Sequence, residues 1–72
     1  MIKKWNSYKE ALQGWCETNP KSNGKYKVLV CMAPMEPEYP ILETMEDTDT
    51  YREGHWLNYR QFVLGYKVIL EA

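Results

Sequence analysis

Between Gly24 and Ala33 apolar and polar side chains alternate with a period of two. Tyr26, Val28, Val30 and Met32 fall on one face of the implied strand, and Lys25, Lys27, Leu29, Cys31 and Ala33 on the other. Asn23-Gly24 supplies a turn before it and Pro34 a stop after it. From Val28 onward both faces are apolar, as in a strand covered on both sides at the centre of a sheet. Ser7 to Glu17 has a different period. Tyr8, Ala11, Leu12, Trp15 and Cys16 recur at helical spacing. Ser7 with Glu10 three residues later forms a capping box, in which hydroxyl and carboxylate satisfy early backbone N–H groups. The spacing predicts a helix over 7–17, with Gly14 as a weak point inside it. Turn formers fill the chain from Thr18 to Gly24.

Pro34, Pro37 and Pro40 recur every third residue, the repeat of a polyproline II helix, and predict a stiff connector along a sheet edge. Ile41–Met45 alternates as a second strand, Glu46–Thr50 reads as a polar, acidic turn, and Tyr66–Leu70 as the last strand. Two patterns compete between Trp56 and Leu64. Trp56, Tyr59 and Val63 suit a short helix stopped by Gly65. Leu57, Tyr59 and Val63 suit an alternating strand, and the dominance of β-formers tips the balance that way. The whole pattern predicts an α+β fold in a single domain over residues 1–72. One N-terminal helix packs on a small three- or four-stranded, mainly antiparallel sheet.

A chain of 72 residues has little interior to bury, and three tryptophans, six tyrosines and one phenylalanine compensate for that. Mean hydropathy is −0.62. The longest apolar run, Val28–Ala33, is far shorter than the ~20 residues of a membrane span. No apolar signal region follows Met1-Ile2-Lys3-Lys4-Trp5, and the expectation is a cytoplasmic protein. Cys16 and Cys31 then read as reduced, packed thiols, with a disulfide as the alternative.

The net charge of −1 hides a strong polarity. Residues 1–35 hold six lysines against Glu10 and Glu17, a net +4. Residues 36–53 hold Glu36, Glu38, Glu43, Glu46, Asp47, Asp49 and Glu53 against Arg52, a net −6. Such a run steers association with a partner of opposite charge. Tyr39 and Tyr51 lie inside it, and aromatic anchors among charges are what protein interfaces favour.

Several chemistries lack their residues. His55 is the one histidine, so a nucleophile has a single base to draw on. Two cysteines and one histidine do not make a four-ligand zinc site. Asp47-Thr48-Asp49 opens like a calcium loop, but Tyr51, Arg52 and Asn58 stand where that loop needs an oxygen ligand, a glycine and a glutamate. The four glycines are isolated and form no phosphate loop. The expectation is a protein with no catalytic residues, no metal and no cofactor.

Trp5-Asn6-Ser7-Tyr8-Lys9-Glu10-Ala11-Leu12, followed by Gly24-Lys25-Tyr26-Lys27-Val28-Leu29-Val30, resembles the opening of a family of small uncharacterised phage and prophage proteins. Those begin W-x-S-x-x-x-x-L-P, continue G-K-x-V-L-V, and close with a tryptophan and a last strand. Trp56 and Tyr66–Leu70 fit that close. Gln13 stands at the family's proline, and the closing tryptophan-proline tail is missing. The resemblance implies a phage or mobile-element origin and carries over no site residue.

The leading expectation is a non-enzymatic, phage-type accessory factor in a bacterial cytoplasm. It binds and inhibits a host or defence protein that has a basic surface. The candidate contact residues are Glu36, Glu38, Tyr39, Glu43, Glu46, Asp47, Asp49 and Tyr51. The alternative is a nucleic-acid-binding module that uses Lys3, Lys4, Lys21, Lys25 and Lys27 with Trp5 and Tyr26. A third is a homodimer joined through an edge strand.

Overall fold

The computed structural model describes residues 1–69, and its elements run β1 (Lys3–Trp5), α1 (Tyr8–Ala11), β2 (Gly24–Ala33), β3 (Leu42–Arg52), β4 (His55–Trp56) and β5 (Val63–Val68). A 3-10 turn at Arg60–Phe62 leads into β5. The strands form one antiparallel, curled sheet in the order β1-β3-β2-β5, with β4 folded back on the far end of β3. β2 is central, and Val28, Leu29 and Val30 are buried, as alternation followed by an all-apolar half requires. Among the described residues no helix is long and apolar enough to cross a membrane.

The expected α+β architecture is overturned: the protein is mostly β, and no N-terminal helix packs on the sheet. Ser7 does cap a helix, its Oγ accepting from Glu10 N at 3.2 Å. That helix is one turn long. A four-residue helix has barely repaid its nucleation cost, and Gly14, at φ +82°, turns the chain out of helical geometry. Cys16 then exchanges two backbone hydrogen bonds with Tyr66 of β5, both at 2.9 Å. The apolar spacing that reads as a helix is met instead by one turn and an extended strap. Gly65 makes room for the strap. A Cβ there would lie 3.0 Å from Cys16 O and 3.0 Å from Trp15 Cβ.

β3 is also longer than its pattern suggests. The supposed acidic turn, Glu46–Thr50, is the middle of an 11-residue strand paired with β2 from Glu43 to Tyr51. Asp is a poor strand former, yet here each Asp accepts from the N–H of the residue after it on β3. Thr50 O accepts from Leu57 N, so the backbone of Thr50, and by alternation that of Thr48, faces away from β2. Asp47 Oδ1 accepts from Thr48 N at 2.8 Å and Asp49 Oδ1 from Thr50 N at 2.7 Å. Outward-pointing N–H groups that could pair with another chain are thereby occupied.

Between Trp56 and Leu64 the structure holds neither a helix nor one continuous strand. Glu53 (φ 50°) and Gly54 (φ 85°) make a two-residue hairpin turn of left-handed geometry, which sets Trp56 opposite Tyr51. The last strand begins at Val63, earlier than Tyr66; Leu70 of the expected strand lies outside the described residues.

The two faces of the sheet carry two apolar clusters. Val28, Val30, Tyr51 and Trp56 form one, joined by Tyr26, Met45, Tyr59, Val63 and Tyr66. Its rings meet edge to face, with centroids 5.0 Å apart for Tyr51–Trp56 and 5.2 Å for Tyr26–Tyr66. Ala11, Leu29 and Leu42 form the other, under Trp5, Leu12, Trp15, Cys31, Met35 and Leu64.

Candidate functional site

A strand sends successive side chains to opposite faces, so the acidic run does not form one surface. The eight candidate residues divide into three groups.

Glu36, Glu38, Tyr39 and Glu43 gather at the end of the sheet where β2 passes to β3. Glu36 and Tyr39 exchange backbone hydrogen bonds of 3.1 and 3.0 Å around a tip made by Pro37 and Glu38. Pro37 therefore sits at the second position of a tight turn, where its fixed φ is preorganised. The three prolines do not make one extended connector. Tyr39 is 42% exposed, and its hydroxyl donates to Glu43 Oε2 at 3.2 Å. Glu43 is half-buried on β3, opposite Lys4 of β1. The exposed Met32 lies at the same end of β2.

Glu46 and Asp47 are exposed mid-strand, on opposite faces. Lys27 Nζ lies 3.1 Å from Glu46 Oε1, and this contact holds the Glu46 carboxyl below its ordinary range. The Tyr59 hydroxyl donates to Asp47, as does Thr48 N, and together they lower the Asp47 carboxyl. The same contact raises the Tyr59 phenol.

Asp49 and Tyr51 are interior. Asp49 is 2% exposed and accepts from Thr50 N, Asn58 N, Asn58 Nδ2 and Tyr59 N. Four donors saturate a carboxylate. Its charge therefore orders the chain after β4 and is turned away from any partner. Tyr51 is packed in the aromatic cluster.

The alternative set of lysines and aromatics is rearranged too. Trp5 is half-buried in the second cluster, with Nε1 donating to Thr44 Oγ1 at 2.9 Å, so its ring is not free to stack on a base. Tyr26 is likewise packed against Trp56 and Tyr66. Lys3 and Lys4 point to opposite faces of β1. Lys25 and Lys27 share a face, and Lys67 of β5 joins them directly opposite Lys27. Nothing but the alternation within the last strand hinted at Lys67.

The remaining reactive groups are dispersed. Cys16 and Cys31 are free thiols; Cys16 is exposed rather than packed, and burial raises the Cys31 thiol. His55 is exposed beside an open groove of about 420 Å³ lined by Gly54, His55, Trp56, Leu57, Arg60 and Gln61. No group of three or more His, Cys, Asp or Glu that could hold a metal ion occurs among the described residues.

No family model, curated protein or solved structure matches the chain.

Proposed function

We propose that the chain is a non-enzymatic binding protein that docks on a basic surface of another protein through the end of the sheet formed by Glu36, Glu38, Tyr39 and Glu43. The observation that carries this reading is the state of Tyr39. A large ring stands exposed on a tight turn, its hydroxyl tied to Glu43 and two further glutamates beside it. A preorganised aromatic spends little entropy on binding, and aromatic anchors contribute disproportionately to interfaces. The surrounding carboxylates select a cationic partner and speed the encounter. Asp49 and Tyr51 act indirectly by holding the sheet, Asp47 extends the negative field, and Glu46 is offset by Lys27. Docking on a basic groove inhibits by occlusion. The resemblance to small phage and prophage proteins supports a host or defence protein as the partner, and a bacterial cytoplasm as the setting.

The test compares capture of bacterial proteins by the wild type and by a Glu36→Lys, Glu38→Lys, Tyr39→Ala variant, after nuclease treatment. A captured partner is then purified and titrated. At least a tenfold loss of affinity in the variant, with an unchanged melting temperature, is expected. A partner that binds both proteins equally would refute the assignment of this end.

A further inference from the structure

The face that carries Ala11, Leu29 and Leu42 is covered over only part of its length. Beyond the strap, towards the start of β2, the side chains on that face are polar: Lys25 and Lys27 from β2, Thr48 and Thr50 from β3, and Lys67 from β5. Lys3 of β1 stands on the same face beside Glu46, where the two line a small hollow with Met1, Thr44 and Met45. The charges of Lys27, Lys3 and Lys67 all act on the Glu46 carboxylate. With Lys25 farther along the same face, four lysines from three strands share this side of the sheet with Glu46, a local charge of +3 in a chain whose total is −1.

Two features set this patch apart from an ordinary solvated face. Lys27 and Lys67 lie directly opposite each other on paired strands, an arrangement that costs stability. Lys67 is also held in place, its Nζ 4.3 Å from the centre of the Trp15 ring. Of the four lysines, Lys27 alone has a carboxylate within ion-pair distance among the described residues.

We propose that this lysine face binds the phosphate backbone of single-stranded nucleic acid. It goes beyond the docking end described above and uses none of its residues. Ammonium groups bind phosphates as point charges, without the bidentate geometry that arginine brings to base edges. The contact is therefore sequence-independent. The four strands β1, β3, β2 and β5 that carry the patch span about 14 Å between their outer axes, a width that suits one sugar–phosphate strand rather than a duplex. The small Thr48 and Thr50 side chains leave that strand a close approach and offer hydroxyl donors. Trp15, half-buried at the edge of the track, contributes by holding the Lys67 ammonium towards the backbone. One module would then join a cationic protein at one end to a nucleic-acid strand on one face.

The experiment is a fluorescence anisotropy titration of a labelled 20-nucleotide oligothymidylate with the full chain, at 50 and 200 mM salt. Three phosphate contacts predict a slope of about −2 in log affinity against log salt, so that affinity falls about 20-fold over this range. Lys27→Gln with Lys67→Gln lowers affinity at least fivefold at 50 mM salt, while the melting temperature changes by only a few degrees, relief of the facing charges offsetting the lost Lys27–Glu46 and Lys67–Trp15 contacts. Glu36→Lys with Tyr39→Ala leaves or improves binding, which separates this result from the fate of the docking end. No binding at 50 mM salt would overturn the inference. So would an affinity indifferent to the lysine substitutions, or tighter binding of a duplex or of inorganic polyphosphate than of the single strand.

Discussion

Asp49→Asn isolates what the buried carboxylate does. The amide keeps the volume but has one acceptor oxygen where the carboxylate has two. Asp49 Oδ1 receives Thr50 N, Asn58 N and Asn58 Nδ2, and Oδ2 receives Tyr59 N at 2.9 Å. With the amide nitrogen at the Oδ2 position, the Tyr59 N–H meets a donor and loses its partner; the opposite orientation strands Thr50 N and Asn58 Nδ2, while Asn58 N keeps its 3.3 Å contact with the other atom. A hydrogen bond to a charged acceptor contributes about 1.5–3 kcal/mol, and the surviving bonds weaken as the charge disappears. The substitution therefore costs about 3 kcal/mol. For 72 residues the total stability is about 4–11 kcal/mol, so this is a large share of it. Thermal unfolding followed by circular dichroism should show a fall of about 12–24 °C, at 4–8 °C per kcal/mol for a domain of this size. Urea unfolding followed by tryptophan fluorescence should give the same loss with an unchanged slope. Asp47→Asn is the control. That residue is exposed on the same face, two positions away, and its melting temperature should fall by much less. A drop of under about 3 °C for Asp49→Asn would refute the hub and return Asp49 to the list of surface carboxylates.

Gly65→Ala should lower stability by about 1–3 kcal/mol, because the new methyl presses on Cys16 O and Trp15 Cβ. A shift of Trp15 emission towards that of exposed tryptophan would locate the damage in the strap, and unchanged emission and melting temperature would contradict the close packing. Acid should destabilise the fold through Glu46 and Asp47, whose carboxyls are lowered by Lys27 and by Tyr59 with Thr48 N. Their contribution is complete above the unfolded values near pH 4 and is lost as pH falls through the lower folded values. A melting-temperature profile between pH 6 and pH 2 should show this acid limb, reduced in Asp47→Asn. At high pH the Tyr59 phenol, raised chiefly by its contact with Asp47, should ionise late in an absorbance titration, and the Asp47→Asn variant should shorten that delay.

Some of this was written in short-range pattern. The alternation from Tyr26 to Cys31 assigned each side chain of β2 to its face, and the apolar half marked the strand as central; a register shift against β3 between Cys31 and Ala33 breaks the expected alternation at Met32 and Ala33. Ser7 announced a helix start correctly, because a cap is settled within four residues. The helix end was not legible. Gly14 was visible as a weak point, but its capture into a turn depends on Cys16 pairing with a strand 50 residues away. Among the site residues, Tyr39 and its neighbours kept their exposure because a proline turn is local chemistry.

The sequence by itself determined the central strand, its two faces, the helix cap and the segregation of charge along the chain. Only the tertiary structure decided how those charges are presented. Asp47-Thr48-Asp49-Thr50 looks like a solvated turn until a ten-residue partner strand is beside it. Pairing then turns Asp47 and Asp49 to one face and Glu46 to the other, buries Asp49 beneath Asn58 and Tyr59, and brings Lys67 opposite Lys27. The physical reason is range. Alternation, caps and turns are set by neighbours a few residues apart, whereas burial and charge contact on a sheet depend on register between strands far apart in sequence.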